Sequence, residues 1–411
     1  ITGNITGSGE LMTQNYINLA NASDFSGVMR SRSGKLTLEH SQALRLSTLH
    51  LASGDNGDIG FSSSLSSATL GGLTGSRSLL LQNVSNNPIN LQVGNNNLTL
   101  NPYSGTLSGN GSFTKIGSGS LTLTGVNMHT GGTYLAGGRV VISQSNQLGN
   151  GGVQFLGGGL TANASFDISR SLDMGSGGVI DTNGYNVSVS SSIGGSGTLT
   201  KTGNGTLSLL NSSNGTFPIV VNGGILQGTT SSIRGPINVA AGTQVNFNQG
   251  TAEDFNSPIS GGGLVSVTGG GRVNFNAARP SWSGGLSVIG RIFGANGTSL
   301  GTGPITLNGG LLDLTGTATI SNPIALSTNS AINQGLTGFN ITLNGNITGG
   351  AGLTKQGGGE LSLWGYNSYS GGTNILQGKL TGDSASFGTG PVNISAGAIL
   401  HFQQSANGSF A

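Results

Sequence analysis

Paired glycines recur at set distances from short runs of alternating apolar and polar residues, and no other feature of the sequence restricts its fold as much. One unit reads Gly-Ser-Phe-Thr-Lys-Ile-Gly-Ser-Gly-Ser-Leu-Thr-Leu over 111–123 and returns as Gly-Thr-Leu-Thr-Lys-Thr-Gly-Asn-Gly-Thr-Leu-Ser-Leu over 197–209. A third copy ends Gly-Leu-Thr-Lys-Gln-Gly-Gly-Gly-Glu-Leu-Ser-Leu at 352–363, and a degenerate one, Gly-Leu-Val-Ser-Val-Thr-Gly-Gly-Gly-Arg-Val-Asn-Phe, occupies 263–275. A second block follows most copies: a ring, then Gly-Gly and another apolar strand, as at His129, Trp282 and Tyr369. After the 197–209 copy it loosens to Asn214-Gly215-Thr216-Phe217. Repetition of this kind marks a chain built from units too small to fold singly.

Alternation with period two signals strands, and turn residues every few positions keep those strands short. With 78 glycines in 411 residues, each costing about 1 kcal/mol inside a helix, essentially no helix is expected. Sandwich domains would need longer strands, so the turn density favours an all-β right-handed parallel β-helix, a solenoid whose rungs stack their Leu, Val, Ile and Phe. At ~20 residues and ~4.8 Å per rung the whole chain, 1–411, makes a single elongated rod of roughly 20 rungs. Corners closed by Gly-Gly need positive φ, which glycine adopts most cheaply. Asn246, Asn248, Asn274 and Asn276 alternate with apolar neighbours and should face outward or stack between rungs. Lys115, Lys201 and Lys355 each follow Phe or Leu by two residues; an unbroken strand points them inward, and a bend before each would free them.

Charged residues make up only 7% of the chain, with a net charge of +2 and no basic run. Nucleic acid and anionic membranes are therefore poor partners. The absence of cysteine excludes disulfides, thiolate metal sites and cysteine nucleophiles, and it suits export through an oxidising compartment. Apolar runs such as Ile219-Val220-Val221 fall far short of the ~18 residues a membrane helix needs. A chain opening at Ile1 without a leader reads as a mature or excised fragment.

The order Gly-x-Leu-Thr-Lys-x-Gly-x-Gly-x-Leu-x-Leu, followed by Tyr-Ser-Gly-Gly-Thr and a further strand, resembles the autotransporter-associated β-strand repeat, also called the passenger-associated transport repeat. The match lies at 109–140, 195–226 and 349–380, with a degenerate unit at 261–293 and a decayed one at 5–38. That resemblance implies the passenger region of a type V secreted protein of a Gram-negative or related bacterium. It also implies a β-helix held at the cell surface by an outer-membrane β-barrel lying outside this fragment, and it carries no catalytic residue.

Candidate chemistry is sparse. Gly297-Thr298-Ser299-Leu300-Gly301 fits a nucleophile elbow by pattern, a chance match in a chain this rich in Gly and Ser. No two of His40, His50, His129 and His401 sit at metal-ligand spacing; His129 holds the place of Trp282 and Tyr369 and reads as a packing ring. Asp55-Asn-Gly-Asp58 reads as a solvated turn before a calcium loop, and Glu253 and Asp254, adjacent on a strand, point to opposite faces. No catalytic residue, metal or cofactor is therefore assigned. The ligand-binding candidates are Arg272, Arg279 and Arg291, aligned as an anion ladder beside a similar set of Arg30, Arg32 and Lys35, and the rings Trp282, Trp364, Tyr366 and Tyr369 as a sugar-stacking patch. The functional expectation is adhesion, self-association or biofilm formation through outward polar faces. The partner would be a second copy, an extracellular glycan or a matrix protein; a plain spacer or export scaffold is the first alternative and a polysaccharide-degrading enzyme the second.

Overall fold

The computed structural model of the protein describes residues 1–294 and 297–404. Short parallel strands joined by tight turns stack as a β-solenoid of about 20 turns, and the one helical segment among the described residues is a single 3-10 turn at Ser145–Leu148. Two compact units divide the chain, Ile1–Pro218 and Ile219–Ala411.

In the first unit the inward positions stack one above another. Ala68, Leu91, Phe113, Thr133, Val153, Leu172 and Ile193 are register partners on successive strands, and all are buried. The turn length is close to 20 residues, as between Phe113 and Thr133. Where strands Val153–Ala162 and Leu172–Asp181 run through a corner, their pairing shifts register twice, so the 124–190 stretch keeps its stacking despite its irregular sequence.

The second unit repeats the principle with Val245, Val265, Leu286, Ile305, Ile324 and Ile347. Its lower turns carry rings instead: Phe247 and Phe255 lie 4.9 Å apart, and Phe275 meets Trp282 edge-on at 6.4 Å. Each such side chain contributes about 1.5–3 kcal/mol when fully buried, yet only because a neighbouring turn supplies the other half of the contact.

The paired glycines of the repeats serve two separate needs. The second of each pair in two copies, Gly132 and Gly372, has φ near +90°, as the corner argument requires. The first, Gly131 and Gly371, has ordinary backbone angles; a β-carbon there would press on the backbone of Gly111 or overlap that of Ala351 one turn earlier. In the degenerate copy only the second need survives: Gly284 lies against the Gly263 carbonyl, while Gly285 has no positive φ. Positive φ thus explains Gly132 and Gly372, close approach of consecutive turns explains Gly131, Gly371 and Gly284, and Gly285 answers to neither need.

Gly371→Ala is expected to lower stability by about 1–3 kcal/mol, the usual cost of forcing a group into filled space. Gly350→Ala, where no atom lies within 4 Å, should leave the urea midpoint unchanged or raise it. Equal midpoints for the two variants would contradict the close-approach account.

Candidate functional site

The lysine of each repeat is the first side chain to consider, because its strand does not bend. The strands Ser112–Lys115, Leu199–Thr202 and Leu353–Gln356 each include it, and Lys115, Lys201 and Lys355 all point into the core, with 1% or less of each exposed. Lys115 stands between Val93 and Leu135 in the ladder, and Lys355 between Ile332 and Ile375. The bend that would have freed these side chains is absent. An ammonium among aliphatic groups persists only if its protons find acceptors, and here the corner supplies them.

Lys355 Nζ donates to the carbonyls of Gln356 at 2.8 Å, Gly357 at 2.6 Å and Gln377 at 3.1 Å. Lys201 Nζ donates to the carbonyls of Thr202 at 2.9 Å and Gly203 at 2.7 Å and to the Thr182 hydroxyl at 2.9 Å. Lys115 uses the same two positions, the carbonyls of Ile116 and Gly117. The order Lys-x-Gly therefore has a geometric meaning: Gly117, Gly203 and Gly357 take φ between 67° and 76°, and the two carbonyls at that corner accept from the lysine before them. Burial pushes each lysine down to about 8. In the degenerate copy Val267, between Phe247 and Val288, takes the lysine's place; there the Thr268 carbonyl accepts from the Gln249 N–H at 2.9 Å, as the Thr202 carbonyl accepts from the Thr182 N–H at 3.0 Å beside Lys201.

The ring position is equally internal. His129 Nε2 meets Thr133 Oγ1 at 3.0 Å, and that hydroxyl donates to the Leu148 carbonyl at 2.8 Å. Tyr369 and Thr373 repeat the relay onto the Phe387 carbonyl. Trp282 Nε1 donates to the Gly263 carbonyl at 3.1 Å. In the loosened copy Phe217, buried, packs beside Gly215. His129 is buried and pushed by that burial down to about 4, so it is a neutral packing ring.

Two positions before the ring, Asn127 and Asn367 are buried bridges between turns. Asn127 accepts from the Leu107 N–H at 2.7 Å and donates to the Gln147 carbonyl at 2.6 Å; Asn367 does the same between Ile347 and Ser386. Their recurrence at one spacing was the available sequence signal, and it was missed.

The outward candidates fare unevenly. Trp282 and Tyr369 are fully buried, so neither can stack on a sugar, whereas Trp364 and Tyr366 are 40% and 81% exposed. Arg279 is also buried. It donates to the carbonyls of Ala277 at 2.7 Å and Ser299 at 3.2 Å and lies 4.2 Å from the centre of the Phe275 ring; burial pushes it down to about 10. Arg272 and Arg291 do align on adjacent strands, but both turn to Asp313, at 3.7 Å and 2.9 Å, and Asn333 holds the other carboxylate oxygen at 2.8 Å. Their charge is thus partly neutralised, and a three-arginine anion ladder does not form.

At the other end Arg30 grips Asp55 with two hydrogen bonds of 3.0 and 2.9 Å and reaches Glu10 at 3.1 Å. The guanidinium holds the Asp55 carboxyl below the usual carboxylate range, and it occupies the oxygens a calcium ion would use. Among the described residues no three His, Asp or Glu side chains gather as metal ligands. Ser299 of the elbow pattern is buried, with a turn and no helix around it. Glu253 accepts from Thr230 at 2.7 Å and Asp254 from Asn274 at 2.7 Å, each carboxylate tied to a neighbouring turn.

An open depression lies on the first unit. It has a volume of about 480 Å³ and lies beside Tyr134, Gln154 and Asp173.

Comparison with known proteins places these observations. The passenger-associated transport repeat family matches residues 113–142, 199–227 and 353–381, the three copies that bury a lysine. The Adhesin BmaC autotransporter of Brucella suis biovar 1 (strain 1330) is 29% identical over 346 residues, which is 71% of this chain and 9% of that protein. The chain therefore spans about a tenth of that relative's length. No solved structure matches.

The buried lysines make stability depend on pH with a definite sign. A lysine at about 8 in the fold and 10.5 unfolded leaves the unfolded chain holding more protons between those values, so stability rises with pH across that window. The unfolding free energy from urea titration is expected to climb from pH 7.5 to 9.5, by at most roughly 3 kcal/mol per lysine. The rise should shrink in Lys355→Met and nearly vanish when all three are Met. A flat or falling profile in the parent chain would refute the assignment.

Proposed function

We propose that this chain, which carries three passenger-associated transport repeats on a β-solenoid, is part of the extracellular passenger of a secreted bacterial surface protein and acts in adhesion. The observation that carries this reading is the similarity to an autotransporter adhesin over 71% of the chain. The repeats spend their distinctive residues inward, on the lysine corner, the ring relay and the asparagine bridge. Recognition is therefore a matter for the outward columns, where Ser, Thr, Asn and Gln are joined by charged side chains, rings and exposed aliphatic residues such as Leu80 and Val126.

Such a surface offers hydrogen bonds of ~1 kcal/mol net apiece, and repetition along many turns and many copies supplies the strength. Catalysis draws no support from the acids weighed for it: Glu253 and Asp254 are each tied to a neighbouring turn, by Thr230 and Asn274, and among the described residues no three His, Asp or Glu side chains gather. The place of action in this reading is the cell surface, reached by secretion.

Beads coated with the purified chain are expected to clump, or to attach to surfaces bearing extracellular glycans or matrix proteins, and uncoated beads are not. Coated beads that stay dispersed and attach to nothing would leave the chain a spacer.

A further inference from the structure

One outward column of the first unit is interrupted in a way the fold does not demand. Thr69, Gln92, Thr114, Tyr134, Gln154 and Asp173 are register partners on successive strands, and the next position in line is Gly194. The groove opens there, lined by Tyr134, Gln154, Asp173, Ser171 and Ser192 together with several glycines. Its volume of about 480 Å³ is ordinary for a small-ligand site, where ~300–1,000 Å³ is usual.

Neither reason that explains the repeat glycines applies to Gly194. Its φ is not left-handed, and a β-carbon on it would find nothing nearer than the Leu172 carbonyl oxygen at 4.0 Å. The backbone would accept any side chain, and a side chain would continue the column and fill the groove. The opening therefore comes from the choice of residue and not from conformational need.

The groups around the opening have a consistent chemistry. Gln154 Nε2 donates to Asp173 Oδ2 at 3.0 Å, which fixes the amide with its Oε1 free to accept and leaves Asp173 Oδ1 without a protein donor. Tyr134 is half-buried and offers a ring with a hydroxyl at its tip. Hydroxyls of Thr130, Ser171 and Ser192 both donate and accept. A sugar ring matches this set, having an apolar C–H face for the tyrosine ring and a rim of hydroxyls for a carboxylate, an amide and serines. Asp173 is the one charged group on the wall, so uronate and sialylated sugars meet repulsion and neutral ones do not.

We infer that this groove binds a neutral pyranose unit of an extracellular glycan, held against the Tyr134 ring and the neighbouring Gln154–Asp173 pair. Its biological use rests on the adhesive reading above; the groove's chemistry does not.

The test is an array of neutral, sialylated and uronate oligosaccharides probed with the whole chain and three variants. Binding to neutral pyranosides is expected, with a tenfold or larger loss in Gly194→Val and Tyr134→Ala and a comparable loss in Asp173→Asn, while thermal melting stays that of the parent. If Gly194→Val melts early, Gly194→Ser puts a smaller group at the same open position and should still weaken binding several-fold. No array binding, a preference for anionic sugars or for lysine-rich peptides, or neutral binding untouched by Gly194→Val or Gly194→Ser overturns the assignment. Gly194→Val beads that attach like the parent's would sink the groove alone, whereas parent beads that attach to nothing would sink the adhesive reading itself.

Discussion

A single turn of this chain cannot hold itself together, because a strand such as Ser120–Thr122 buries its one inward leucine only against strands above and below. In-register stacking is therefore the constraint from which the remaining features follow. It makes each inward position a column, it brings backbone of one turn within reach of backbone of the next, and it leaves the carbonyls at each corner to be satisfied locally. The first consequence selects Leu, Val, Ile and Phe; the second selects the glycines that bear no positive φ; the third selects the lysine.

The lysine corner shows how two costs can offset each other. A buried ammonium without acceptors would be expelled or neutralised, and a corner carbonyl without a donor would cost about 1–3 kcal/mol. Lys355 supplies donors to the carbonyls of Gln356 and Gly357 at once, and its methylenes fill the column between Ile332 and Ile375. Val267 shows that the column itself does not need the charge: where valine occupies the slot, a backbone N–H from Gln249 serves the Thr268 carbonyl. What the position requires is an apolar stem in the column; the corner carbonyl can accept from a backbone N–H of the neighbouring turn with either residue in the slot, as at Thr202 and Thr268, and the lysine adds a further donor where it is present.

Alternation and glycine spacing made the solenoid legible from sequence, since a period of two with turns this dense leaves little else. The shared slot of His129, Trp282 and Tyr369 was legible too, as a place for rings. Lysine was harder: period two pointed it inward, its charge argued for the surface, and the carbonyls that resolve the conflict depend on backbone angles that no residue letter displays. Arg279 failed for the same reason, its acceptors at Ala277 and Ser299 being backbone atoms. Gly194 was invisible because a glycine needed for φ, a glycine needed for close approach and a glycine that leaves a space open are the same letter.

Comparing copies within the chain separates what the repeat must keep from what it may change. Asn127 and Asn367, His129 and Tyr369, and Thr133 and Thr373 perform matching tasks at matching places. Between them the outward positions differ freely: Thr124 corresponds to Trp364, Val126 to Tyr366, and Met128 to Ser368, and all six are exposed. Inward residues answer to the neighbouring turn, which is always present, whereas outward residues answer only to solvent or to a ligand. A solenoid so built can change what it recognises one column at a time without disturbing its stacking, and a groove made by omitting one side chain at an otherwise permissive position is the smallest change of that kind.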